Sequence, residues 1–132
     1  MQNKSFSQAS THKVDKEQMA QYVAHWQRRL AAQQATADRL AQQARAEAQQ
    51  IAQMLREHFG ATRIILFGSL TKGNFSLGSD IDLAVAGLPK ADFFLALAEA
   101  NALAHTWVDL KPLEDLHPHF RERVLATGEE LA

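Results

Sequence analysis

The chain has 132 residues, 46% of them hydrophobic, with 14 Lys/Arg against 15 Asp/Glu, a net charge of −1 and no cysteine. That length holds one domain, or one small domain with an appendage. The near-neutral charge argues against a dedicated nucleic-acid groove, no apolar run approaches membrane-spanning length, and the lack of thiols excludes a disulfide framework and thiolate chemistry, as suits a reducing cytoplasm.

Residues 1–14 are polar, without periodicity and without a signal-peptide pattern, and read as a disordered arm. From Asp15 to His58 there is no Gly and no Pro, and the helix formers Ala, Gln, Arg and Glu dominate. Met19, Val23, Trp26, Leu30, Ala37, Leu40, Ala44 and Ile51 recur at helical spacing as one narrow apolar stripe, interrupted by Gln33 and Glu47. The pattern predicts a single long helix or a hairpin broken near Gln33–Thr36. Either is an Ala/Gln-rich spacer or a helix that binds a partner or a second copy, and exposed Tyr22 and Trp26 would favour association. Residues 15–50 are read as a helical extension and 51–132 as the main domain. At the junction Ile51, Leu55, His58 and Phe59 share a face and Gly60 stops the helix.

Ala61 to Phe67 predicts a first strand, apolar on both faces and so covered on both sides. It runs directly into Gly68-Ser69. Gly68 permits a close approach of backbone to ligand, and Ser69 would cap a short turn through Leu70 and Lys72 that ends at Gly73. Backbone amides in such a turn, with the hydroxyl and Lys72, form an anion site. In the following loop Phe75 and Leu77 are expected to pack down as anchors.

Ten residues after Ser69 comes Asp80-Ile81-Asp82, opening a second strand, Ile81 to Ala86. Residues two apart on a strand share a face, so the two carboxylates project together while Ile81, Leu83 and Val85 face a core. Paired carboxylates repel, and a hard divalent cation relieves the conflict. After Gly87 and Pro89, with Asp92 as a candidate cap, Phe93, Phe94, Leu97, Ala100, Leu103 and Ala104 predict a helix lying against the sheet. Trp107 to Leu110 predicts a third strand, with Asp109 on the face of Trp107 and Lys111. In His117-Pro118-His119, Pro118 suits the first position of a last helix better than the two histidines suit a metal. Phe120, Val124 and Leu125 are expected to face the core, and Gly128 to end that helix.

Gly-Ser, ten residues, then Asp-x-Asp between two strands resembles the DNA polymerase β-like nucleotidyltransferase superfamily. The short chain most resembles its minimal nucleotidyltransferases, partners of HEPN-type ribonuclease toxins. The resemblance runs from about Ile51 to Leu131. Where that family often carries Arg-x-Arg-Gly-Asp, this chain has Leu70-Thr71-Lys72-Gly73-Asn74. The resemblance implies an α+β domain with a small mixed sheet of three or four strands packed with helices. It implies a third acid, matched by Asp109. Asp80, Asp82 and Asp109 would bind two Mg²⁺ ions, and Gly68, Ser69 and Lys72 would cradle the phosphates of ATP. It further implies AMP transfer to a tyrosine hydroxyl of a HEPN-type toxin, that is, AMPylation by an antitoxin. Competing readings are a non-catalytic antitoxin that masks its toxin by contact, a nucleotidyltransferase of small molecules, and a coiled-coil scaffold built on the long helix.

Overall fold

A computed structural model describes residues 15–132, and the reading of residues 1–14 lies outside them. The chain divides into two compact units, one ending at Ala35 and the other running from Thr36 to Ala132. One continuous helix, α1 (Lys16–Phe59), contributes to both, so the hairpin alternative is not realised. It starts on a reciprocal cap. Gln18 N donates to Asp15 Oδ1 (2.7 Å) and Asp15 N to Gln18 Oε1 (3.3 Å), which satisfies two of the orphan amides of a helix start.

In the first unit Met19, Tyr22, Val23, Trp26 and Leu30 are all exposed. Tyr22 meets the edge of Trp26, and the Arg29 guanidinium lies over the indole.

The second unit is built on a four-stranded sheet in the order β3-β2-β1-β4: β1 (Arg63–Phe67), β2 (Ile81–Ala86), β3 (Val108–Pro112) and β4 (Glu129–Glu130). β1 pairs antiparallel with β2 and β4, and β2 pairs parallel with β3. The remaining helices are α2 (Ser69–Lys72), α3 (Phe93–Ala102) and α4 (Pro118–Thr127). Both faces of the sheet are covered, as the two-sided apolarity of β1 predicts. On one face Ile64, Leu66, Ile81, Leu83, Val85 and Val108 pack with Ala48, Ile51, Ala52 and Leu55 of α1 and with Ala96 and Ala100 of α3. On the other, Ile65 and Ala84 pack with Leu113 and Val124, flanked by Phe67 and Phe120. Burying a Leu or Ile such as Leu55 or Ile51 stabilises the fold by about 1.5–3 kcal/mol each.

Several sequence expectations are corrected. Phe94, Leu103 and Leu125 are exposed rather than buried. Adjacent residues on a helix point about 100° apart, so Phe93 and Phe94 cannot both face the sheet. Phe93, Ala96 and Ala100 take the inner face, with alanines where the helix lies close. Val124 displaces Leu125 for the same reason. Leu77 is also exposed: Ser76 and Ser79 bond to each other (Ser79 N to Ser76 O, 3.0 Å; Ser76 N to Ser79 Oγ, 3.0 Å), leaving Leu77 and Gly78 at the tip of a tight turn, while Phe75 is buried as expected.

Strand β4 has no counterpart in the sequence reading. It is held by long-range bonds: Glu130 accepts from Arg63 Nη2 (2.7 Å) and Nε (2.9 Å), and Leu131 N, just beyond the strand, donates to Ile64 O (2.8 Å).

Candidate active site

β1 carries the chain into a bend that only glycine makes easily. Gly68 has φ 81° and ψ −148°, and it rather than Ser69 occupies the cap position of α2. Its carbonyl accepts from Thr71 N (3.1 Å), Lys72 N (3.2 Å) and Thr71 Oγ1 (2.9 Å), and Ser69 is the first helical residue. Gly73, with φ 77°, closes the turn as expected. A Cβ on Gly68 would collide with Asp82 Oδ2, so the bend and the carboxylate of β2 are in direct apposition.

The strand register explains the convergence. Phe67 pairs with Asp82 across β1 and β2, and Asp82 pairs with Asp109 across β2 and β3. Asp82 and Asp109 are therefore lateral neighbours on one face. Ile81, Leu83, Val108 and Leu110 are buried on the other. Asp80 precedes β2 and is exposed, while Asp82 is half-buried. Burial, then the neighbouring charges of Asp109 and Asp80, push the Asp82 carboxyl up to about 6, with Lys111 and Lys72 opposing. Lys111 Nζ lies 3.0 Å from Asp109 Oδ2.

The segment entering β3 is clamped twice. Glu47, buried on α1, accepts from His105 N (3.1 Å) and pairs with His105 Nδ1 (2.5 Å). Asn101 of α3 receives the amide of Val108 on Oδ1 (2.8 Å) and donates Nδ2 to the Val108 carbonyl (3.1 Å), as a neighbouring strand would. In the sequence Glu47 is only an interruption of an apolar stripe, and Asn101 carries no signal of its role. A lone carboxylate on an otherwise apolar helical seam was the available signal for the first.

Beside the Gly68 bend lies a cavity of about 450 Å³, lined by Phe67, Gly68, Thr71, Lys72, Phe120, Arg123 and Thr127 among others. It adds Arg123 to Lys72 as a second cation, a residue the sequence reading did not single out. Its guanidinium lies over the Phe120 ring. A second cavity, about 480 Å³ and lined by Leu88, Lys90, Phe93, Pro112, Glu114 and Asp115, contains none of the site residues. His117 and His119 have a structural role: His117 Nδ1 accepts the His119 amide (3.3 Å) at the start of α4, with Pro118 at its first position.

The donor set suits a hard divalent cation. A carboxyl raised by burial and by two like charges is relieved when a cation supplies the missing positive charge. Among the described residues no three acidic or histidine side chains are grouped closely enough to hold an ion by themselves. Mg²⁺ ordinarily takes one or two protein carboxylates and completes its shell with phosphate oxygens and water. Asp82 with Asp80 meets that requirement, and Asp109 stands next in the row.

The family profile described as "Polymerase beta, Nucleotidyltransferase" matches residues 49–132. No curated protein sequence matches the chain. Similar solved structures include a toxin–antitoxin solved with AMP-PNP, at 26% identity and a TM-score of 0.58 over 64% of this chain and 72% of that one. A structure assigned as a minimal nucleotidyltransferase is 28% identical, with a TM-score of 0.58 over 67% of this chain and 92% of that one. The MntA–HepT toxin–antitoxin, at 23% identity and a TM-score of 0.53 over 67% and 71% of the two chains, shares the fold alone.

Proposed function

The chain belongs to the polymerase β nucleotidyltransferase family, and we propose that it transfers AMP from ATP to a tyrosine hydroxyl of a HEPN-type toxin partner in the cytoplasm, acting as an antitoxin. The observation that carries this reading is the lateral row Phe67–Asp82–Asp109 beside the Gly68 bend, with the Asp82 carboxyl raised by burial and then by its acidic neighbours.

The bend and its cavity take the β- and γ-phosphates. The Gly68–Ser69 backbone approaches them closely, and Lys72 and Arg123 supply the charge that steadies departing pyrophosphate. Asp80 and Asp82 would hold Mg²⁺ on the triphosphate, with Asp109 sharing a second ion. Bound Mg²⁺ supplies charge neutralisation at the phosphoryl oxygens. Asp109 accepts the proton of the attacking hydroxyl, whose oxygen forms the new bond to the α-phosphorus as the bond to pyrophosphate breaks. Positioning and electrostatics supply most of the rate in such transfers. Among the described residues no helix is long and apolar enough to cross a membrane.

Association with another protein chain is assigned to the exposed stripe Met19, Val23, Trp26 and Leu30. Support for a toxin partner comes from the toxin–antitoxin solved with AMP-PNP.

The test is incubation with labelled ATP, Mg²⁺ and the protein encoded beside this chain. Label on that protein, lost with Asp80→Asn, supports the enzyme. Neutralisation of the toxin by wild type and Asp80→Asn alike, without label, favours a binding module that acts by contact.

A further inference from the structure

Trp107 is the exposed aromatic nearest the acids by register. The pairing of Ile81 with Val108, and the bond from Ile81 N to Trp107 O (2.9 Å), set Trp107 beside Asp80. Strand alternation puts it on the face of Asp109, because Val108 between them is buried. It is 57% exposed.

Its backbone is nevertheless held on both sides. His105 is tied to Glu47, and Val108 to Asn101. A large flat side chain exposed on an immobilised segment is a preorganised surface, which lowers the ordering cost of binding. Its position relative to the phosphate cavity indicates what it binds. That cavity, with Lys72 and Arg123, adjoins β1 and α4, whereas Trp107 leads into β3 across β2. In an in-line displacement the nucleophile enters opposite the leaving group. If pyrophosphate departs on the β1 side, the attacking hydroxyl arrives on the β3 side.

We infer that Trp107 is the docking platform for the acceptor and selects a tyrosine side chain over serine or threonine. This rests on the transfer reaction proposed above. An indole face offers stacking to a phenol ring and nothing comparable to a small aliphatic hydroxyl. The end of a nucleic acid could also stack. However, residues 61–132 carry ten Asp/Glu against six Lys/Arg, an acidic balance that disfavours binding of a phosphate backbone.

The experiment uses the full chain with Trp26→Phe, leaving Trp107 as the single indole. Its fluorescence is followed during titration with N-acetyltyrosinamide and N-acetylserinamide, each with Mg²⁺ and AMP-PNP present. Saturable quenching by the tyrosine compound alone is expected, and its absence overturns the inference. Transfer of labelled AMP to N-acetyltyrosinamide is then compared in wild type, Trp107→Ala and Trp107→Phe. The acceptor KM should rise roughly fivefold to tenfold in Trp107→Ala, with AMP-PNP affinity unchanged and most of the loss restored by Phe. Weakened AMP-PNP binding in Trp107→Ala would place the indole on the nucleotide instead. Loss of transfer to an oligonucleotide end, with tyrosine unaffected, would assign it to a nucleic acid; either result overturns the inference. Quenching without any transfer by the wild type would sink the activity and leave the docking role standing.

Discussion

The buried carboxylate of Glu47, on the long helix, accepts the backbone amide of His105 and pairs with its imidazole, joining residues 58 positions apart in sequence. Together with Asn101 it fixes the entry to β3, the strand of Asp109, so the position of that strand depends on a helix whose N-terminal part lies outside the family match.

Glu47→Ala removes the acceptor for the part-buried His105 amide. Losing a hydrogen bond to a charged acceptor costs about 1.5–3 kcal/mol. The expected result is a lower midpoint in urea, together with slower AMP transfer at unchanged AMP-PNP affinity, since the cavity beside Gly68 contains neither residue.

Asn101→Leu keeps the branched shape but deletes both bonds to Val108. A loss of about 1–3 kcal/mol is expected from denaturant unfolding. Hydrogen exchange at the Val108 amide should rise more than at Leu83, which sits in the central ladder.

Gly68→Ala faces two penalties at once: a positive φ that L-residues seldom adopt, and a methyl forced onto Asp82 Oδ2. AMP-PNP binding, read by calorimetry, should fall at least about tenfold. Gly78→Ala is the control, because it shares the positive φ but its Cβ meets nothing; it should destabilise modestly and leave binding intact.

Asp82 predicts a pH dependence. Its folded pKa of about 6 lies above the ordinary carboxylate value of 3.8, first through burial and then through Asp109 and Asp80. The folded state therefore holds this proton more tightly than the unfolded chain. The corresponding stability is complete below about pH 4, falls as pH rises through about 6 and is flat beyond. Asp82→Asn should thus stabilise the fold at pH 7.5 by on the order of 1–2 kcal/mol after allowance for solvent screening, read as a raised thermal midpoint, and lose that advantage at pH 4. Mg²⁺ with AMP-PNP should stabilise the wild type at pH 7.5 more than Asp82→Asn.

Trp26→Ala with Leu30→Ala shortens the exposed stripe without touching the sheet. Light scattering and co-purification should show weaker association with the toxin partner or a second copy, while AMP-PNP affinity stays unchanged.

The acids and the bend were legible in the sequence because their chemistry is local. Gly68-Ser69 ends an apolar run, Asp80 and Asp82 straddle one buried isoleucine, and strand periodicity alone places both carboxylates on one face. The first three strands and the glycines that end helices at Gly60, Gly73 and Gly128 followed from the same short-range patterns, whereas the expected caps Ser69 and Asp92 make no side-chain cap bond. Side-chain direction in α3, α4 and the Ser76–Ser79 turn did not, since adjacent apolar residues such as Phe93 and Phe94 are equivalent until the sheet chooses between them. Strand β4, two glutamates after Gly128, has no strand signal of its own and exists through Arg63 and the free edge of β1. The pairing of Asp82 with Asp109, the arrival of Arg123 at the cavity beside Gly68 and the Glu47 clamp were likewise decided by tertiary structure. Each joins residues distant in the chain, and no local preference encodes which of several polar side chains will meet across a packed interface.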